Sequence, residues 1–134
     1  MCGIAGFIDV TLATDAKREL NHKMLKCITH RGPEASNAYV DGPVSLGHNR
    51  LKIIDLSDEA NQPFEYQDIV IAFNSEVYNY LELRADLEKK GYTFRTQGDT
   101  EVMCAAYKHY GEDCVKHFTG MWAFALWDKT QQKL

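Results

Sequence analysis

Gly3 to Ile8 opens the chain as an apolar run free of charge, the pattern of a buried strand beginning almost at the terminus. Thr14 or Asp15 then offers a cap for a helix that carries Leu20, Met24 and Ile28 along one face. The Gly32-Pro33 pair ends that segment. Tyr39-Val40 and Val44 to Leu46 predict two strands about an Asp41-Gly42 turn, with Pro43 complicating the hairpin register. Ile69 to Phe73 predicts a second buried strand. Tyr80 to Lys90 has helical composition and stops at Gly91, a suitable residue just past a helix end. Another helix starts at Asp99 or Thr100 and runs to about Tyr110, with Val102, Ala106 and Tyr110 on one face and Gly111 as its stop. Trp122 to Trp127 predicts a last strand. Strands interspersed with helices, without internal repeat or linker, indicate one mixed α/β unit.

Composition narrows the choice of function. The 134 residues suffice for one domain with a sizeable core, and 45% hydrophobic with 25% charged residues is ordinary for a globular protein. A net charge of −4 and a pI near 5.7 argue against the basic surface expected of a nucleic-acid or anionic-membrane partner. No apolar run approaches the ~20 residues that span a bilayer, and the N-terminus lacks the basic segment of a secretory signal. Cysteines at 2, 27, 104 and 114 form no C-x-x-C pair, and histidines at 22, 30, 48, 109 and 117 pair with none of them at metal-ligand spacing. No metal site and a cytoplasmic location are the expectations.

Cys2 carries the candidate chemistry. An N-terminal amine has a pKa of roughly 7.7–8.0, so part of it is free base at neutral pH. Once Met1 is removed, that amine can take the proton of the thiol on the same residue, directly or through one water. Taken alone, Cys2 reads more readily as a small buried residue after the initiator. Its neighbours decide.

Met1-Cys2-Gly3-Ile4-Ala5-Gly6 is followed in order by His30-Arg31-Gly32-Pro33-Glu34, Gly47-His48-Asn49-Arg50-Leu51 and Ile53-Ile54-Asp55-Leu56-Ser57. Asn74-Ser75-Glu76-Val77-Tyr78-Asn79-Tyr80, Gly98-Asp99-Thr100-Glu101-Val102 and Gly120-Met121-Trp122-Ala123-Phe124-Ala125 complete the series. This series resembles the class II glutamine amidotransferases, which are N-terminal nucleophile hydrolases. Asn61-Gln62-Pro63 and the Tyr78-Asn79-Tyr80 segment favour the glutaminase domain of asparagine synthetase-like enzymes. The resemblance implies an α+β fold, a four-layer α/β/β/α sandwich of mostly antiparallel sheets.

It also implies roles. Cys2 would attack the side-chain amide of L-glutamine and pass through a thioester to glutamate and ammonia. Arg50 would clamp the substrate carboxylate, as a guanidinium fork suits two oxygens; alone it reads as a surface arginine. Asp99 would hold the ammonium, a role that does not exclude helix capping. Asn74 and the backbone N–H of Ser75 would meet the oxyanion, although Asn74 by itself could be a turn former at a strand end. Leu51, Ile53, Ile54 and Glu76 are implied as further glutamine contacts. No cofactor is implied for this half-reaction; ATP and Mg belong to a synthetase domain.

Residues 1–134 read as an incomplete glutaminase domain, cut short at its C-terminal end and without the synthetase domain that normally shares its chain. An open sheet edge would leave pairing into a homo-oligomer available. Ser75 stands where the family usually has glycine, and a positive φ there would strain it. Lys52, Glu34 and Asn37 are milder departures, at positions where the family more often has Ser, Asp and Gly. The competing reading is a non-catalytic short form that binds glutamine or a partner chain.

Overall fold

The computed structural model describes residues 2–134, so the expected removal of Met1 lies outside the described residues. The first sheet is built from β1 (Gly3–Ile8), β2 (Ala35–Asp41) and β3 (Val44–Arg50) in the order β1-β3-β2. Both pairings are antiparallel: Gly3 faces Asn49 on one side of β3, and Ala35 faces Arg50 on the other. Gly42 and Pro43 make the two-residue turn between β2 and β3. Gly42 takes φ +51°, a value that suits a residue without a Cβ, and Pro43 needs no N–H there while its carbonyl accepts from Asp9 at 2.8 Å. Pro43 therefore fits the hairpin register.

The second sheet, in the order β4-β5-β6, comprises β4 (Phe64–Tyr66), β5 (Ile69–Val77) and β6 (Gly120–Asp128), again antiparallel throughout. Helix α1 (Thr14–Cys27) covers the first sheet, while α3 (Asp99–Tyr110) covers the second and packs against α2 (Tyr80–Lys89). The result is an α+β sandwich of four layers.

Alternation along β5 divides the core in two. Ile69, Ile71, Phe73 and Val77 face α2 and α3, meeting Leu83, Leu87, Val102 and Met103. Val70 and Ala72 face the first sheet, meeting Val44 and Leu46, with Trp127 beside them. Burying one such side chain stabilises the fold by roughly 1.5–3 kcal/mol.

Several expected elements differ in detail. The strand β1 forms with the expected bounds, but only Gly3 is buried and Ile8 is 59% exposed. As an outer strand it has β3 alone beside it. Helix α1 turns a different face inward: Lys17, Asn21 and Leu25 are buried, and Leu20 is 41% exposed. The polar pair finds partners on the hairpin, Lys17 Nζ donating to the Gly42 carbonyl at 2.6 Å and Asn21 Nδ2 to Ser45 Oγ at 2.8 Å. Gly47 makes room for this, since a Cβ there would lie 2.0 Å from Asn21 Oδ1. Strands β2, β3, β5 and β6 run longer than their apolar segments, and β4 is additional. Gly91 and Gly111 take positive φ just past α2 and α3, as expected of helix stops.

Candidate functional site

Cys2 lies immediately before β1 at one end of the sandwich, partly buried. Two groups hold it. Arg31 donates through Nε and Nη2 to the Cys2 carbonyl, each at 3.3 Å, and the Leu51 N–H points at Sγ from 3.3 Å. The thiol in turn approaches the Leu51 carbonyl at 3.5 Å. A cavity opens beside the sulfur, lined by Arg50, Leu51, Ile53 and Ile54 on one side and by Ser75, Glu76 and Asp99 on the other.

Arg50 ends β3 and is only 5% exposed, so it is not the surface arginine that the residue without its flanking motif would suggest. Its Nη1 donates to the Ser57 carbonyl at 2.6 Å and to Asn61 Oδ1 at 2.8 Å, and its Nη2 donates to the Asp55 carbonyl. These bonds wrap the 51–61 loop around the guanidinium. Three of its five N–H groups are used, which leaves two for an anion in the cavity. Asp55 is held below the usual carboxylate range: burial alone would raise it, but the Ser57 hydroxyl, the N–H groups of Gln97 and Ser57, each at 2.8 Å, and the nearby Arg50 charge outweigh that.

Asp99 is the first residue of α3, with Gly98 at the cap position, so its side chain is not the N-cap. Its Oδ2 instead accepts the Val77 N–H at 3.1 Å and the Ser75 hydroxyl at 3.0 Å. Burial pushes the Asp99 carboxyl above its ordinary value against the pull of those donors. Glu76 is likewise raised, by burial first and then by the Asp99 charge. The cavity therefore has a cationic end at Arg50 and an acidic end at Asp99 and Glu76.

Ser75 sits within β5 without positive φ, so the backbone strain considered for a non-glycine residue does not arise. Its N–H is oriented by the ladder. In an antiparallel strand, successive N–H groups point to opposite edges. The Phe73 N–H turns away from β6 to Gln62 Oε1 at 2.6 Å, and the Val77 N–H turns the same way to Asp99. Ser75, midway between them, directs its N–H to that same edge, toward the cavity. Asn74 points its side chain to the face shared with Val70 and Ala72, toward the sheet that follows Cys2. It does not line the cavity and makes no side-chain hydrogen bond among the described residues.

Other residues of this framework had no individual role in the sequence reading. Arg31 fixes the Cys2 carbonyl, and Gln62 bridges the Phe73 N–H and Thr100 Oγ1 (3.2 Å). His48, fully buried, donates from Nε2 to the Phe73 carbonyl at 3.1 Å and so joins the two sheets beside the site. Arg31 and His48 occur in the ordered segments and Gln62 in the Asn61-Gln62-Pro63 segment, but only the fold reveals what each one touches. Among the described residues, no group of three His, Cys, Asp or Glu side chains could hold a metal, and no helix is long and apolar enough to cross a membrane.

Comparison with known proteins agrees with this geometry. A glutamine amidotransferase domain family matches residues 1–134. Asparagine synthetase [glutamine-hydrolyzing] 1 of Bacillus subtilis is 45% identical over 138 residues, covering 100% of this chain and 22% of the relative. A putative asparagine synthetase [glutamine-hydrolyzing] 2 of Methanocaldococcus jannaschii is 40% identical, covering 96% of this chain and 28% of its own length. The chain thus spans about a quarter of the curated relatives it matches. Among solved structures, the glutamine phosphoribosylpyrophosphate amidotransferase of B. subtilis superposes with a TM-score of 0.73 at 21% identity, over 96% of this chain and 35% of that one, a likeness of fold. With the family matched from end to end and the sandwich shared, the chain belongs to the glutamine amidotransferase domain family.

Proposed function

We propose that this domain hydrolyses the side-chain amide of L-glutamine, with Cys2 as nucleophile once Met1 is removed. The observation that carries the reading is the convergence of the Cys2 sulfur, the Arg50 guanidinium, the Asp99 carboxylate and the outward Ser75 N–H on one cavity. Arg50 offers its two remaining N–H groups to the substrate carboxylate. Asp99, with Glu76 nearby, receives the ammonium. Backbone groups of Leu51, Ile53 and Ile54 line the path of the side chain between them.

The free amine takes the thiol proton, and the sulfur adds to the amide carbon. The negative oxygen accepts the Ser75 N–H from the edge of β5, and the Asn74 carboxamide, which does not line the cavity, joins it only by turning toward the sulfur. One such donor is worth about 3–4 kcal/mol of transition-state stabilisation. The C–N bond then breaks, the amine returns its proton to the leaving group as ammonia departs, and water converts the thioester to glutamate. Glutamine and water become glutamate and ammonia, and no cofactor takes part. In a longer chain like the glutamine-hydrolysing asparagine synthetases, the ammonia would pass to an ATP- and Mg-using domain in the cytoplasm.

The test combines a glutamate-release assay with intact-mass measurement after treatment with a glutamine-like electrophile. Wild type should lack Met1, release glutamate and gain one adduct, and Cys2→Ala should do neither of the last two. Equal glutamate release by both proteins would sink the proposal. The absence of Asn74 from the cavity lining favours one other reading, a site that binds glutamine without turnover; binding without adduct or glutamate would select it.

A further inference from the structure

We propose that Ser75 is a positioning residue whose side-chain hydroxyl locks the Asp99 carboxylate for recognition of a substrate ammonium. This inference rests on the reading of the cavity as an L-glutamine site and adds a side-chain role to a residue whose backbone alone was considered above.

Three observations carry it. Ser75 Oγ donates to Asp99 Oδ2 at 3.0 Å, and the Val77 N–H reaches the same oxygen at 3.1 Å. Both donors belong to β5, which is hydrogen-bonded to β6 along its whole length, so they form a rigid fork. Asp99 is the first residue of α3, so the fork ties the start of that helix to β5. Oδ1 accepts no bond from any side chain among the described residues, and Asp99 lines the cavity. Oδ2 is thus the anchored oxygen of a carboxylate that borders the cavity.

The chemistry follows from charge. A hydroxyl donating to a carboxylate stabilises its ionised form, the form that attracts an ammonium. Asp99 needs that help, because it is 7% exposed and Glu76 adds a second negative charge beside it. The other charged or titratable groups around the cavity are Arg50 from β3, Asp55 from the following loop and Cys2, while Arg84 of α2 donates to the Gly98 carbonyl at 3.2 Å behind the carboxylate. A Ser75 substitution leaves all of them in place. A glycine at this position would lack the hydroxyl donor and leave the carboxylate to the Val77 N–H and the N–H groups of Asp99 and Thr100.

The experiment uses the full chain with Cys2→Ala as background, so binding is read without turnover. Calorimetry would compare L-glutamine with its analogue lacking the α-amino group, for Ser75, Ser75→Ala and Ser75→Thr. Carbon-detected NMR would follow the titration of the Asp99 carboxyl in the same proteins. Ser75→Ala should weaken L-glutamine roughly tenfold, the worth of one charge-assisted bond, leave the des-amino analogue unchanged, and move the Asp99 midpoint upward. Ser75→Thr, which keeps the hydroxyl, should restore both. Equal weakening of the two ligands, or an Asp99 midpoint indifferent to Ser75→Ala, would overturn the inference while leaving glutamine binding intact. Absence of glutamine binding to any of the proteins would instead overturn the reading of the cavity, and the NMR titration would still decide whether Ser75 controls Asp99.

Discussion

Acidification to pH 5 should destabilise this domain through His48. His48 is fully buried between the sheets, with Nε2–H bonded to the Phe73 carbonyl and no partner for Nδ1 among the described residues. Burial first, and then the neighbouring Arg50 charge, push its pKa down to about 4 despite the Phe73 bond. In the unfolded chain the ring titrates near 6.5. The unfolded state therefore binds the extra proton between these values, so stability is complete above pH 6.5 and falls as the pH drops toward 4. At 1.36 kcal/mol per unit, the full window corresponds to about 3 kcal/mol, and about 2 kcal/mol of that is lost between pH 7.5 and pH 5. Asp99 and Glu76, raised in the fold, act with the opposite sign and contribute alike to any pair of proteins compared. Urea unfolding from pH 5 to 7.5 should be run on wild type and His48→Gln, which keeps an N–H donor but cannot be protonated. The variant should lose the steep part of the dependence. Parallel curves for the two proteins would show that His48 is not the acid-sensitive group.

Three further outcomes can be read by the same unfolding assay at neutral pH. Gly32→Ala should lose about 2–3 kcal/mol, because its Cβ would meet the Asn49 carbonyl oxygen at 2.4 Å in the strand that ends in Arg50; an unchanged midpoint would mean the loop moves aside freely. Leu25→Ala should lose about 2–5 kcal/mol and Leu20→Ala less than about 1, since the first is 1% exposed and the second 41%. The reverse order would restore the α1 face expected from apolar spacing. Gln62→Leu strands the Phe73 N–H and the Thr100 hydroxyl, for about 1–3 kcal/mol, and a neutral result would mean both find new partners.

Much of the fold was legible because most elements announce themselves locally. The apolar starts of β1 and β5 and the glycines after α2 and α3 act over a few residues. What escaped depends on distant partners. Lys17 and Asn21 look solvent-facing in any helical projection, and only the Gly42 carbonyl and Ser45 hydroxyl on another element make them interior. Strand β4 is three residues long, joined to β5 through Gln67 at φ +55°, too short to show a period. The polar end of β5, Asn74-Ser75-Glu76, resembles a loop by composition and is a strand because β6 pairs with it throughout. At the site, the ordered segments located Cys2, Arg50 and Asp99, since side-chain identity states their chemistry. The direction of the Ser75 N–H and the fork on Asp99 are properties of the ladder, which no single segment contains.

The outward row of N–H groups on β5 has a consequence for solubility as well. Beyond Ile71, β4 no longer accompanies β5, and residues 72–77 present a bare strand edge of the kind that recruits foreign strands. Gln62 blocks that edge at Phe73, and Asp99 blocks it at Val77. Only the stretch at Ser75 is left open, too short to template another strand. The side chains that shape the cavity thus also close this edge of β5 to a foreign strand, so a lesion at Gln62 or Asp99 should open that edge together with any loss of glutamine chemistry.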